Sequence, residues 1–257
     1  MKFLYLMIAS LIFFPTQEYS ALPSDYGLIS EDVSLRTEDG VTLAGWYLKA
    51  PESEKTIYLL HGNAGNIADR LFKAAEWVKR GYSVFLLDYR GYGASEGKIE
   101  SENDLYADAR AGLVWLRNQK KLSNSEIVLY GESIGTAAMV ELASKEHFFT
   151  LILESPFTSF KEVTKVHYPF VPDFLLNSFE FDNKNKIQNI DTPVFIIHGK
   201  EDEICPWVMG EALYERVKAP KQMFSVPRGH HNDLPDLAGA EFYEKPIQFL
   251  NQIKGSS

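Results

Sequence analysis

The sequence predicts an α/β protein with a mostly parallel central sheet, helices on both faces and an antiparallel hairpin at its N-terminal edge. Three observations predict it. First, TIYLL at 56–60, SVFLL at 83–87, IVLY at 127–130 and VFII at 194–197 are short, continuously apolar runs. Strands that lack the alternation of a one-sided sheet are buried on both faces, as in parallel sheets. Second, these runs alternate with longer stretches of helical periodicity, the order that places crossover helices over the sheet. Third, Glu38-Asp39-Gly40 separates two β-rich segments, EDVSLRT at 31–37 and VTLAGWYL at 41–48, and an Asp-Gly pair in that setting marks a hairpin.

Residues 1–23 stand apart from the rest. Lys2 gives a positive start, and Phe3 to Phe14 is a run of 12 residues without charge, too short to span a bilayer comfortably as a helix. A polar stretch then leads to Ser20, Ala21 and Leu22. This pattern resembles a secretory signal peptide with cleavage near Tyr19 to Leu22, an uncleaved N-terminal anchor being the alternative. The expectation is an exported (periplasmic or secreted) or membrane-anchored protein, associated with the membrane through this segment, whose main domain begins at residue 24.

Beyond the hairpin, Ile67–Arg80 predicts a helix that sets Leu71, Ala75 and Val78 on one face and stops at Gly81. Ser101–Gln119 predicts a second, with Leu105, Ala109, Leu113 and Leu116 on one stripe, Ser101 as cap and Asp104 at its third helical position. An alanine-rich helix is expected over 134–146, a strand at 151–153, a helix near 206–218, a strand at 223–226 and a last helix over 239–253. Residues 155–192 are too long for a plain connection. They hold Pro156, Pro169 and Pro172, several aromatics and the polar run FDNKNKIQN, and predict a short lid insertion over the sheet's C-terminal edge.

Composition narrows the function. A net charge of −9 opposes nucleic acid, whose phosphates need lysine and arginine. Cys205 is the single cysteine, which excludes an internal disulfide and a cysteine-based metal cluster. No H-E-x-x-H or comparable ligand cluster occurs, so no metal and no cofactor are expected.

The chemistry sits at strand ends. Gly131-Glu132-Ser133-Ile134-Gly135 follows the IVLY strand and opens a helix. This is G-x-S-x-G in the strand-turn-helix context that lifts a serine above a sheet beside a helix N-terminus. A serine hydroxyl is a poor nucleophile and needs a base. In the chain order Ser, acid, His, the acid is Asp202 in PVFIIHGKEDEICP, preferred to Glu154. The base is then His230 or His231, in VPRGHHNDL. Asp202 would orient the imidazole and stabilise its charged form. Backbone N–H groups of Ile134 and of Asn63, in the glycine-rich loop HGNAGN at 61–66, are the expected oxyanion donors, with Ala64 next after Asn63. DYRGYG at 88–93 reads as a tight turn in which Asp88 and Arg90 tie loops together. Tyr92, Phe157 and Trp207 are candidates to line a substrate pocket, and Tyr168, Phe170 and Phe174 are further aromatics of the same region.

Taken together, HGNAGN, DYRGYGASEG at 88–97, GESIG, ESPFTS at 154–159, HGKED at 198–202 and HHNDL at 230–234 resemble the α/β-hydrolases from about Val33 to the C-terminus. They are similar to the small-lid branch that includes eukaryotic membrane-anchored α/β-hydrolase-domain proteins, some of which remove palmitate from protein cysteines. Bacterial members are grouped with serine aminopeptidase-like hydrolases. By position, the resemblance puts the nucleophile on Ser133, the acid on Asp202 and the base on His231, which Asn232-Asp233 follow. Two positions depart from the family pattern: His230 replaces a glycine, and Thr136 follows Gly135 where relatives often have a Gly-Gly pair. The N-terminal cysteine cluster of the depalmitoylating relatives is absent from this chain. The implied activity is a serine hydrolase cleaving carboxylic esters or thioesters of small-molecule or lipid-like acyl substrates through an acyl-enzyme. A serine peptidase of the aminopeptidase-like type and a catalytically silent binding module are the alternatives.

Overall fold

The computed structural model describes residues 13–255. Residues 1–12, which carry most of the apolar N-terminal run, lie outside the described residues. Among the described residues ten strands run in chain order: β1 (Phe14–Pro15), β2 (Ser30–Arg36), β3 (Thr42–Leu48), β4 (Thr56–Leu60), β5 (Ala64–Gly65), β6 (Ser83–Leu87), β7 (Ile127–Glu132), β8 (Thr150–Glu154), β9 (Val194–Gly199) and β10 (Lys221–Val226). Eight of them form one sheet in the order β10-β9-β8-β7-β4-β6-β3-β2. The pairings of β2 with β3 and of β3 with β6 are antiparallel, and the other five are parallel. The sheet is therefore mixed only at its N-terminal edge, where the Asp-Gly hairpin lies.

The apolar runs fill two cores because successive side chains point to opposite faces. On one face Tyr58, Leu60, Phe85 and Leu87 pack against Leu105, Ala109, Leu113 and Leu116 of α2 (Glu102–Gln119) and the alanines of α3 (Gly135–Ala143). On the other, Ile57, Leu59, Val84 and Leu86 meet Leu71, Ala74 and Trp77 of α1 (Leu71–Lys79) and Phe242, Phe249 and Leu250 of the C-terminal helix Glu241–Gly255. Asp104 caps α2 as its spacing predicts, accepting the Ser101 N–H at 2.8 Å. The expected helix over Ile67–Arg80 divides into a 3-10 turn, Ile67–Arg70, and α1, because Asn66 caps the turn through the Ala68 N–H.

Two regions differ from expectation. The insertion at 155–192 is not a lid along its whole length. Phe157, Phe179, Phe181, Ile187 and Ile190 are buried in the main core, while helix Phe160–His167 and the turn after it leave Val166, Tyr168, Phe170 and Phe174 exposed. Only the part near 160–176 stands above the sheet edge. The second difference is at the start. Residues 13–23 pack on the main domain instead of preceding it: β1 pairs in parallel with β5, Phe13 and Pro23 are buried, and Tyr19 packs on Trp46. The boundary expected after residue 23 therefore falls inside packed structure. Among the described residues no helix is long and apolar enough to cross a membrane.

Candidate active site

The site forms where the C-terminal ends of β4, β7 and β9 open upward, the position at which ligands gather on parallel sheets. Strand β7 turns sharply into α3 with Ser133 at φ 51°, the left-handed region. That strained backbone is what presents the hydroxyl above the sheet. The flanking glycines make the turn sterically feasible. A Cβ on Gly131 would lie 2.6 Å from Thr136 Cα, and one on Gly135 would lie 2.2 Å from the Leu60 carbonyl oxygen. The Ser133 N–H donates to the Glu154 carbonyl at 2.9 Å, and the Thr136 hydroxyl donates to the Ser133 carbonyl at 2.5 Å. Thr136, the departure noted above, thus fastens the elbow from behind.

Three distant segments converge here. His231 Nε2 is 2.9 Å from Ser133 Oγ, and its Nδ1 is 3.0 and 2.9 Å from the two oxygens of Asp202. A carboxylate at Nδ1 holds the proton on that nitrogen and leaves Nε2 free to accept from the serine. His230, the neighbour, points away and pairs with Glu203 at the surface. Glu154 is not near His231; it is buried between Lys73 and the Tyr130 hydroxyl, at 2.6 and 2.7 Å.

Burial pushes the Asp202 carboxyl upward, but hydrogen bonds from His198 and His231 and from the Cys205 N–H outweigh it and hold the pKa well below the usual carboxylate range. His198, 3.3 Å from Asp202, is buried and also bonds the Cys205 carbonyl at 2.7 Å. It supports the acid from below. Its value was not legible in the sequence, where it reads as one more strand-end histidine. Burial raises the Cys205 thiol far above its ordinary pKa, which keeps it protonated beside the serine.

A cavity of about 300 Å³ opens over the serine. Asn63, Ile134 and Phe157 line it together with Ser133 and His231. Tyr92 and Trp207 do not line it. Tyr92 is buried behind the loop, its hydroxyl donating to the Asn63 carbonyl at 2.7 Å, so it shapes the loop from outside the cavity. Trp207 opens the helix Trp207–Arg216 and donates from its indole to Ser225 at 3.2 Å, which turns it away. Gly62, Ala64, Glu132 and Asn232 of the motifs line it too, and further wall comes from residues that the motifs did not single out, among them Phe14, Phe160, Val163 and Ile204.

Below the elbow lies a buried charge network. Arg70 donates to Glu132 at 2.6 Å and to the Ala64 carbonyl at 2.9 Å, while Lys73 bridges Glu132 and Glu154 at 2.9 and 2.6 Å. Burial would raise the Glu132 carboxyl, but the two cations more than offset it and set it well below its ordinary range. Arg70 therefore joins the loop bearing Asn63 to the residue preceding Ser133. Arg90 does the tying expected of DYRGYG, binding Asp108 at 2.7 Å and Asp39 at 2.7 Å.

A family profile described as "Serine aminopeptidase, S33" matches residues 51–177. An uncharacterised protein of Mycobacterium tuberculosis is 36% identical over 246 residues, 94% of this chain and 86% of the relative. Human α/β hydrolase domain-containing protein 17B is 35% identical over 223 residues, 84% of this chain and 74% of the human protein. Among solved structures, an esterase of Pyrococcus furiosus superposes with a TM-score of 0.78 at 24% identity, covering 94% of this chain and 97% of the other. An acetyl xylan esterase from Paenibacillus reaches 0.71 at 17% identity, over 96% and 99%. With relatives at this identity along most of its length and this sheet beneath its elbow, the chain belongs to the α/β-hydrolase family.

Proposed function

We propose that this protein is a serine hydrolase that cleaves carboxylic esters or thioesters of small or lipid-like acyl groups. The observation that carries the reading is the continuous hydrogen-bond chain from Asp202 through His231 to Ser133, opening into a mainly apolar cavity. Ser133 Oγ attacks the acyl carbon as His231 Nε2 takes its proton. The negative charge moves to the carbonyl oxygen and is received by the N–H groups of Asn63 and Ile134. His231 then returns the proton to the leaving alcohol or thiol. A water molecule, deprotonated by the same nitrogen, attacks the acyl-enzyme and releases the acid.

The lining favours an ester over an N-terminal peptide. Glu132 is the single acid among the described lining residues, and both of its oxygens are engaged by Arg70 and Lys73. A free α-amine would find no uncommitted carboxylate there. The test is a series of p-nitrophenyl esters from acetate to palmitate, with amino-acid p-nitroanilides beside it, on the parent and on Ser133→Ala. Ester turnover that disappears in the variant is the expected result. Ester hydrolysis by Ser133→Ala at the parent rate, or anilide turnover above ester turnover, would overturn the reading.

A further inference from the structure

The segment at 13–19 is bonded at nearly every step to the loops that frame the site. β1 pairs Phe14 with Ala64 and Pro15 with Gly65, and the Thr16 N–H donates to the Gly65 carbonyl at 3.2 Å. The Asn66 amide donates to the carbonyls of Thr16 and Glu18 at 3.1 and 2.9 Å. Across the strand ends, the Gly93 N–H donates to the Thr16 carbonyl at 2.9 Å, Gln17 donates to the Gly91 carbonyl at 2.6 Å, and the Tyr19 hydroxyl donates to Asp88 at 2.9 Å. Phe13 is buried against Phe179 of the insertion, with ring centroids 5.5 Å apart. Phe14, next to it, is 58% exposed and faces the cavity opposite Phe160 and Val163 of the lid helix.

We propose that residues 13–19 are a strap that fixes the oxyanion loop and walls the acyl slot, with Phe14 as its specificity-determining residue. This inference rests on the hydrolase reading above. The loop at 62–66 is short and glycine-rich, and its two-residue strand β5 pairs with the strap itself, so its N–H groups need an outside frame to point at one place. Arg70 and Tyr92 hold it on the inner side, and the strap holds it on the outer side. The acyl chain lies between Phe14 and the lid helix and leaves towards the exposed apolar residues of the lid. Cleavage between Tyr19 and Leu22 would detach the whole strap, so the mature protein keeps these residues.

Two variants of the full chain test it. Phe14→Ala removes the wall without touching the fold, since the side chain is largely exposed. We expect the ratio of kcat/KM for the best medium- or long-chain p-nitrophenyl ester to that for acetate to fall about tenfold. Asn66→Asp keeps the acceptor that caps the 3-10 turn and removes the two donors that grip the strap. We expect kcat to fall on every ester with KM little changed, and faster amide hydrogen exchange at 62–66. A chain-length profile of Phe14→Ala that superimposes on the parent's, or exchange at 62–66 that does not respond to Asn66→Asp, overturns the strap. A parent that neither turns over esters nor is labelled by a fluorophosphonate defeats the hydrolase reading instead, whatever the exchange shows of the strap.

Discussion

At the residue scale, the site rests on charges held in place by partners. Asp202 accepts from two histidines and two backbone N–H groups, which keeps it ionised and His231 in one tautomer. Asp202→Asn would leave the geometry and reverse the tautomer, so kcat is expected to drop by about four decades. Lys73 is a different case. It is buried between Glu132 and Glu154. Lys73→Met would leave two buried carboxylates short of a cation and is expected to cost about 3–5 kcal/mol, read as a lower urea midpoint. Ser133 and Asp202 were legible because each sits in a short contiguous motif at a strand end, whereas the motif VPRGHHNDL left His230 and His231 open and only the family resemblance chose His231. Arg70, Lys73 and His198 were not, because their meaning depends on partners 62, 59 and 4 positions away. Tyr92 and Trp207 show the converse limit. An aromatic beside a motif has no sequence feature that says which way its ring turns.

At the scale of elements, apolar runs and helical stripes were readable to within a few residues, since burial on two faces or one imposes a period. The elbow was equally plain, because two glycines bracket it. Gly135→Ala would drive a methyl into the Leu60 carbonyl. It is expected to abolish both the serine's placement and cooperative unfolding, seen as loss of fluorophosphonate labelling and a broadened thermal transition. The strap was not readable. Phe13 and Phe14 close an apolar run that looks like a leader, and a two-residue pairing has no periodicity to detect. The insertion was recognised by its length, but its division into a buried half and an exposed half follows from which aromatics reach the core, a tertiary property.

At the scale of the whole molecule, two enclosed carboxylates with lowered pKa, Glu132 and Asp202, give stability a definite pH dependence. Glu132 and Asp202 have folded pKa values below their unfolded ones of about 4.3 and 3.9. Their contribution is fully present above those unfolded values and is lost as pH falls through the folded ones. From these groups, the urea midpoint is expected to stay level from neutrality down to about pH 5 and to decline through pH 4 and below. A midpoint that rises on acidification to pH 4 would contradict that assignment. The strap adds a second whole-chain expectation, that the intact mass of the protein purified from its own cells retains residues 13–22.

The central claim is that Ser133 is an activated nucleophile served by His231. Its most direct test is fluorophosphonate labelling followed by peptide mass mapping. One adduct per chain is expected, on Ser133, absent from Ser133→Ala and formed far more slowly by His231→Ala. No adduct on the folded parent, or an adduct that persists in Ser133→Ala, would contradict it.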